Sequence, residues 1–228
     1  MREIVLDTET TGFDHAKDDR IVEIGCIELI NHVPSGEHFQ RYLNPERDMP
    51  PGAFAVHGLS AEFLADKPLF ADVAEEFLAF IGDDALIIHN AGFDLGFLDA
   101  EMARLGRPAL ARDGVIDTLA LARRKFAGSP ASLDALCRRF AIDSSARDLH
   151  GALLDAELLA EVYLALIGGR QPGLGLGAEA AESATQPVAA GDNGGAARPP
   201  RRHEPSPAER ESHEAFIDNI KDPIWRRR

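Results

Sequence analysis

Cysteine, tryptophan and tyrosine are scarce in this chain: two, one and two among 228 residues. Cys26 and Cys137 lie far apart among apolar neighbours and lack the close spacing of metal-binding pairs. A disulfide-stapled scaffold and a zinc module are therefore excluded, and two reduced core thiols in a cytoplasmic protein are expected. Long hydrophobic runs are also missing. None approaches the roughly 18 residues of a membrane-spanning helix, so no membrane partner is expected. Glu3 and Asp7 come too early for a signal peptide. Positive charge is in deficit, with 24 Lys and Arg against 38 Asp and Glu, a net charge of −14. Residues 1–168 hold 15 basic and 29 acidic side chains, whereas residues 169–228 hold nine of each. So acidic a body argues against wide electrostatic wrapping of duplex DNA. It leaves room for a nucleic-acid substrate held by metal ions over a few nucleotides.

What is present is a sizeable domain. Hydrophobic residues make up 45%, and the length suits one domain of about 150–200 residues plus an appendage. Residues 1–168 read as alternating strands and helices. Arg2–Leu6, Ile21–Ile30 and Glu37–Leu43 are expected strands, and three strands before any strong helix suggest an antiparallel meander. Phe70, Val73, Ala74, Phe77, Leu78 and Ile81 then form a helical stripe. Ala85–Ile88 and Val115-Ile116 read as short strands. Leu95–Leu105, Leu119–Lys125, Ser132–Phe140 and Ala152–Ile167 read as helices, with Ser132 as a cap. The fold class is α/β, a mixed sheet covered by helices.

After Gly169 the composition breaks. Residues 169–212 contain seven Gly, six Pro and nine Ala, half of that stretch, and no aromatic side chain. Such a segment cannot form a core, and a flexible linker is expected over residues 170–212, with a root-mean-square reach of roughly 35–40 Å. Apolar residues return in 213–228, at Phe216, Ile217, Ile220, Ile224 and Trp225. A short apolar segment behind a long linker suits a docking peptide.

Three groups of residues carry chemistry. Asp7 and Glu9 end the first strand, two positions apart and hence on one face. Two carboxylates there repel unless a cation sits between them, which suggests a hard-cation site. His89-Asn90-Ala91-Gly92-Phe93-Asp94 follows the strand ending at Ile88, so Asp94 also lies at a strand's carboxyl end, where sites assemble in open sheets. His150 precedes Asp155 by five residues at the start of the last helix of the domain. An imidazole titrates at roughly 6.5 when unperturbed, which suits it to deprotonating a water.

Taken in order, these residues resemble the three motifs of the DEDD superfamily of 3′–5′ exonucleases, in its histidine-containing branch. Asp7-Thr8-Glu9-Thr10-Thr11-Gly12 matches the first motif, Asn90–Asp94 the second and His150–Ala156 the third. The likeness spans residues 1–169, including Val56-His57-Gly58-Leu59 and Ser132–Cys137, and is strongest to the proofreading subunits of bacterial DNA polymerase III. The resemblance implies a ribonuclease H-like sheet over residues 1–169 and metal-dependent release of nucleoside 5′-monophosphates from 3′ ends. Asp7, Glu9, Asp94 and Asp155 would hold two Mg²⁺ or Mn²⁺ ions, and His150 would act as general base. Thr10, Thr11 and Gly12, with Asp7, Glu9 and Asp155, would contact the terminal nucleotide, while Val56, His57 and Phe93 would pack its sugar and base.

The resemblance extends to partners. Gln171, Leu174 and Leu176, within 171–176, are similar to the short peptide that bacterial proteins insert into the sliding clamp. Phe216, Ile217, Ile220 and Trp225 would dock the chain on the polymerase catalytic subunit. A free-standing exoribonuclease would use the same five motif residues, and the tail is what favours the proofreading reading. A non-catalytic interaction subunit would have no need of all five.

Overall fold

The computed structural model describes residues 1–145, 149–168 and 206–219. It divides into two units, Met1–Gly175 and Leu176–Arg228. The first unit is built on five strands: β1 (Arg2–Thr10), β2 (Ile21–Ile30), β3 (Val33–Tyr42), β4 (Ala85–Ile88) and β5 (Ile116–Asp117). Their order in the sheet is β3-β2-β1-β4-β5. The first three pair antiparallel as a meander, while β4 lies parallel to β1 and β5 parallel to β4. The carboxyl ends of β1, β4 and β5 therefore share one edge, where a site forms in such sheets.

Seven helices belong to this unit among the described residues: α1 (Pro51–His57), α2 (Ala61–Leu64), α3 (Phe70–Ile81), α4 (Ala91–Arg104), α5 (Thr118–Lys125), α6 (Leu133–Phe140) and α7 (Ala152–Leu166). A single 3-10 turn, His15–Lys17, follows β1. Alternation along β1 sorts the core. Ile4 and Leu6 point into a cluster with Phe77 of α3 and Leu98 of α4. Val5 points to the other face, against Ala156 and Leu159 of α7. Leu158 and Val162 of α7 pack against Leu136 and Cys137 of α6. Sandwiched between the sheet and other helices, α7 is apolar nearly all round, with buried residues from Ala152 to Leu166.

Most sequence expectations match these elements, and the departures have local causes. The first strand runs to Thr10 rather than Leu6, because β2 pairs with it as far as Thr10 opposite Ile21. Asp7, Thr8 and Glu9 therefore lie within the strand, in keeping with the alternation that sets Asp7 and Glu9 on one face. The third strand is Val33–Tyr42, four residues earlier in its start than expected. Its first six residues are exposed, which conceals the alternation of a buried strand. Helix α4 begins at Ala91 instead of Leu95, started by Asn90 in the left-handed region at φ 66°. Short helices α1 and α2 were not expected. Only His57 of α1 and Leu64 of α2 are buried, so neither shows an apolar stripe.

The second unit is described through α8 (Pro207–Asp218), which starts inside the stretch expected to be linker. Ser206 caps it, accepting the Glu209 N–H while the Glu209 carboxylate accepts the Ser206 N–H in return. Phe216 is exposed and Ile217 buried. Gln171, Leu174, Leu176, Ile220 and Trp225 lie outside the described residues. Among the described residues no helix is long and apolar enough to cross a membrane.

Candidate active site

The parallel strands deliver the candidate residues to one edge of the sheet. By alternation, Asp7 and Glu9 share the α7 side of β1 with Val5, and Thr8 faces the α4 side. Asp94 lies in the first turn of α4, where a carboxylate complements the helix dipole. Its Oδ1 accepts two hydrogen bonds from Thr8, one from the backbone N–H at 3.1 Å and one from Oγ1 at 2.7 Å. The turn carrying Asp94 is itself tied down by Asp117 at the end of β5. Its Oδ1 accepts the Asn90 N–H at 3.2 Å while also capping α5 through Leu119 and Ala120.

Burial dominates the electrostatics of Asp94. Only 2% exposed, it is pushed up to about 7 by desolvation, with the Thr8 hydrogen bonds opposing and the Asp117 charge adding to the rise.

Helix α7 brings the remaining residues. Asp155, also buried, lies in its first turn. His150 sits just before the helix, held by its backbone N–H donating to Val56 O at 3.0 Å, and its Nδ1 is 3.3 Å from Asp155 Oδ2. The helix start reaches this place because of Gly25 on β2. A Cβ there would lie 2.3 Å from the backbone of Ala152 and Leu153. Asp7 is the cross-strand partner of that same glycine. Glu9, His150 and Asp155 each offer a ligand atom, and all three atoms lie within 4.8 Å of one another. That set does not include Asp7 or Asp94. Asp7 is half-buried beside Gly25, and its charge adds to burial in raising the Cys26 thiol. The oxygen-rich donor set suits a hard divalent cation.

A cavity of about 530 Å³ opens beside this cluster, with Glu9 and His150 in its wall. Thr10, Thr11, Gly12, Val56, His57 and Phe93, all expected at the substrate, line it as well. His57 Nδ1 accepts the Leu59 N–H at 3.0 Å. Burial lowers its pKa while the Thr10 backbone opposes that shift. With Nδ1 accepting, the proton of the ring lies on Nε2. The wall after β1 is pinned by Asp19, which accepts hydrogen bonds from Thr11 Oγ1 and the Asp14 N–H, each at 3.1 Å. Gly12 permits this, since a Cβ there would lie 2.2 Å from Asp19 Oδ2.

Asp19 was not singled out from the sequence, and neither were two further residues at the site. Phe13 also lines the cavity, 88% exposed, with its ring centroid 6.4 Å from that of Phe93. An aromatic directly after a Thr-Thr-Gly turn was the available signal. The other is Glu23, buried on β2 directly opposite Glu9. Burial raises its pKa, against the opposing hydrogen bonds of Gln40 and of the α7 backbone.

This arrangement, carboxylates at the carboxyl edge of a mixed sheet with a histidine and a nucleotide-sized cavity, defines a metal-dependent nuclease of the ribonuclease H-like kind. The family described as Exonuclease matches residues 4–163. Among solved structures, Exonuclease X in complex with 5′ overhanging duplex DNA aligns with a TM-score of 0.58 and 27% identity, over 72% of this chain and 90% of that one. The nuclease domain of 3′hExo, a DEDDh family member bound to rAMP, shares the fold. Its TM-score is 0.63 at 16% identity, over 73% of this chain and 91% of that one.

The sequence relatives are narrower in kind. DNA polymerase III subunit epsilon of Rickettsia prowazekii is 59% identical over 174 residues, 75% of this chain and 76% of that protein. The subunit of the same name from Escherichia coli is 52% identical over 176 residues, 74% of this chain and 72% of that protein. The chain belongs to the exonuclease family, alongside the epsilon subunits of bacterial DNA polymerase III.

Proposed function

We propose that the chain is the proofreading 3′–5′ exonuclease of a replicative DNA polymerase III, removing mismatched 3′-terminal nucleotides as 5′-monophosphates in the cytoplasm. The observation that carries this reading is the gathering of ligand atoms of Glu9, His150 and Asp155 within 4.8 Å of one another, beside a cavity of about 530 Å³ that has Glu9 and His150 in its wall. Asp7, Glu9, Asp94 and Asp155 would hold two divalent cations, Mg²⁺ or Mn²⁺. When bound, such ions acidify water and stabilise charge on the attacking and leaving oxygens.

The protein's own groups do the rest. Thr10, Thr11 and Gly12 bind the terminal nucleotide, and Val56, His57 and Phe93 pack its sugar and base, a mode tolerant of any base. His150 takes the proton of the attacking water, oriented by its contact with Asp155. A bond forms from the water oxygen to phosphorus, the bond from phosphorus to the 3′-oxygen breaks, and the leaving oxygen takes a proton from solvent. Because the cavity admits a single unpaired end, a mismatched terminus enters more readily than a matched one, since it frays at lower cost.

Partners are read from the tail. Phe216, Ile217, Ile220 and Trp225 dock on the polymerase catalytic subunit, and Gln171, Leu174 and Leu176 engage the sliding clamp. The test of the chemistry is digestion of a 5′-labelled single-stranded oligonucleotide. Wild-type protein with Mg²⁺ or Mn²⁺ should yield a ladder shortening from the 3′ end, abolished by EDTA. His150→Ala should slow it by about 10²–10⁴-fold, the usual contribution of a positioned proton acceptor. Undiminished cleavage by that variant would remove His150 from its role.

A further inference from the structure

Glu23 has a costly position. It is 2% exposed and lies directly across β1 and β2 from Glu9, another acid. Like charges placed opposite one another in a sheet repel, and a buried carboxylate needs donors to replace its water. Glu23 finds them in two directions. Its Oε1 accepts from Gln40 Nε2 of β3 at 2.7 Å, and Gln40 Nε2 also lies 3.2 Å from the Tyr42 hydroxyl. Its Oε2 accepts from the backbone N–H of Ala152 at 3.1 Å.

Ala152 is the first residue of α7, and the helix has no side-chain cap of its own because Gly151 occupies the capping position. A local Ser, Asp or Asn would satisfy those N–H groups with no burial of a distant acid. Instead the cap comes from the sheet, 129 residues away in sequence. Its target lies between His150 and Asp155, and the neighbouring Gly25 lets the same backbone seat against β2.

We infer that Glu23 is a positioning residue of the active site: by capping α7 from the sheet, it fixes His150 and Asp155 relative to Asp7 and Glu9. The inference rests on the metal-dependent nuclease reading above. Gln40 is the outer member of this relay, holding the Glu23 carboxylate toward α7.

The test compares Glu23→Ala and Glu23→Gln in the full-length protein. Three quantities are measured: Mn²⁺ affinity by the electron paramagnetic resonance signal of unbound Mn²⁺, kcat and KM on a single-stranded oligonucleotide, and the melting temperature. Glu23→Ala should weaken Mn²⁺ binding and lower kcat, each by about 10–100-fold, the usual effect of removing a residue that orients metal ligands, while KM stays nearly constant. Glu23→Gln should restore most of both, since its carbonyl still accepts the Ala152 N–H and Gln40 needs only an amide rotation to pair with the new amide.

A Glu23→Ala protein that melts lower but keeps wild-type Mn²⁺ affinity and kcat would overturn the inference, leaving a cap with a purely structural role. Equal damage from Glu23→Gln would also overturn it, by assigning the effect to charge. If Glu23→Ala does not fold, Gln40→Ala takes its place. A weaker Mn²⁺ affinity would then support the relay, and an unchanged one would contradict it. Wild-type protein that binds Mn²⁺ but digests nothing would defeat the nuclease reading alone, because the Mn²⁺ comparison still judges Glu23.

Discussion

Asp94 lies where its surroundings oppose its charge. It is buried at the start of α4, with Thr8 supplying two hydrogen bonds, and its pKa still stands at about 7. In the metal-free protein this has a consequence for stability. An unfolded chain releases that proton near 3.8, so between about pH 4 and 7 the native state binds more protons than the unfolded state. The contribution of Asp94 is therefore fully present below about pH 4 and is lost as pH rises through about 7. Melting temperatures in EDTA across this range should show wild-type protein losing stability with rising pH relative to Asp94→Asn, whose amide does not titrate. Parallel curves for the two proteins would contradict the account. Divalent cations should offset the loss above pH 7, where the carboxylate is ionised and able to bind them.

At the scale of elements, the site depends on how closely α7 approaches the sheet. Gly25 makes that approach possible, with Ala152 and Leu153 backbone atoms 2.3 Å from where a Cβ would stand. Backbone cannot yield as a side-chain tip can. Gly25→Ala is expected to cost about 1–3 kcal/mol, as overpacking does, and to displace Asp155 and His150 with the helix. A lowered melting temperature together with a reduced kcat would show both effects, whereas wild-type values of both would mean that α7 has room to shift. The long elements were legible in the sequence because each carries a stripe or an alternation: Phe70 to Ile81 for α3, Ile21 to Ile30 for β2. Helices α1 and α2 were not, since exposed helices leave no such pattern, although Pro51 at the start and Gly58 at the stop were available signs. The order of Asp7, Glu9, Asp94, His150 and Asp155 was legible as a motif. Glu23 was not, because within IVEIGCIELI it reads as one more polar position on a strand, and its significance arises only through contact with a helix far along the chain.

At the scale of the whole molecule, all of the net charge of −14 resides in residues 1–168. A body so acidic does not attract a polyanion over a broad surface, and the cations proposed at the sheet edge would offset that charge locally. The tail is a separate matter. Helix α8 belongs to the second unit, and the candidate active site lies wholly within the first. Deleting residues 206–228 should leave digestion of single-stranded DNA unchanged while abolishing co-elution with the polymerase catalytic subunit. Loss of both would make the tail part of the catalytic fold. The most direct measurement of the central claim uses the full-length protein, 5′-labelled primer–template DNA with a matched or mismatched 3′ end, and RNA of the same sequence, each with Mg²⁺ and with EDTA. The account predicts metal-dependent removal of single nucleotides from the 3′ end, faster on DNA than on RNA and faster on the mismatched primer than on the matched one. Equal rates on the two primers in every duplex context, or preferential digestion of the RNA, would contradict it.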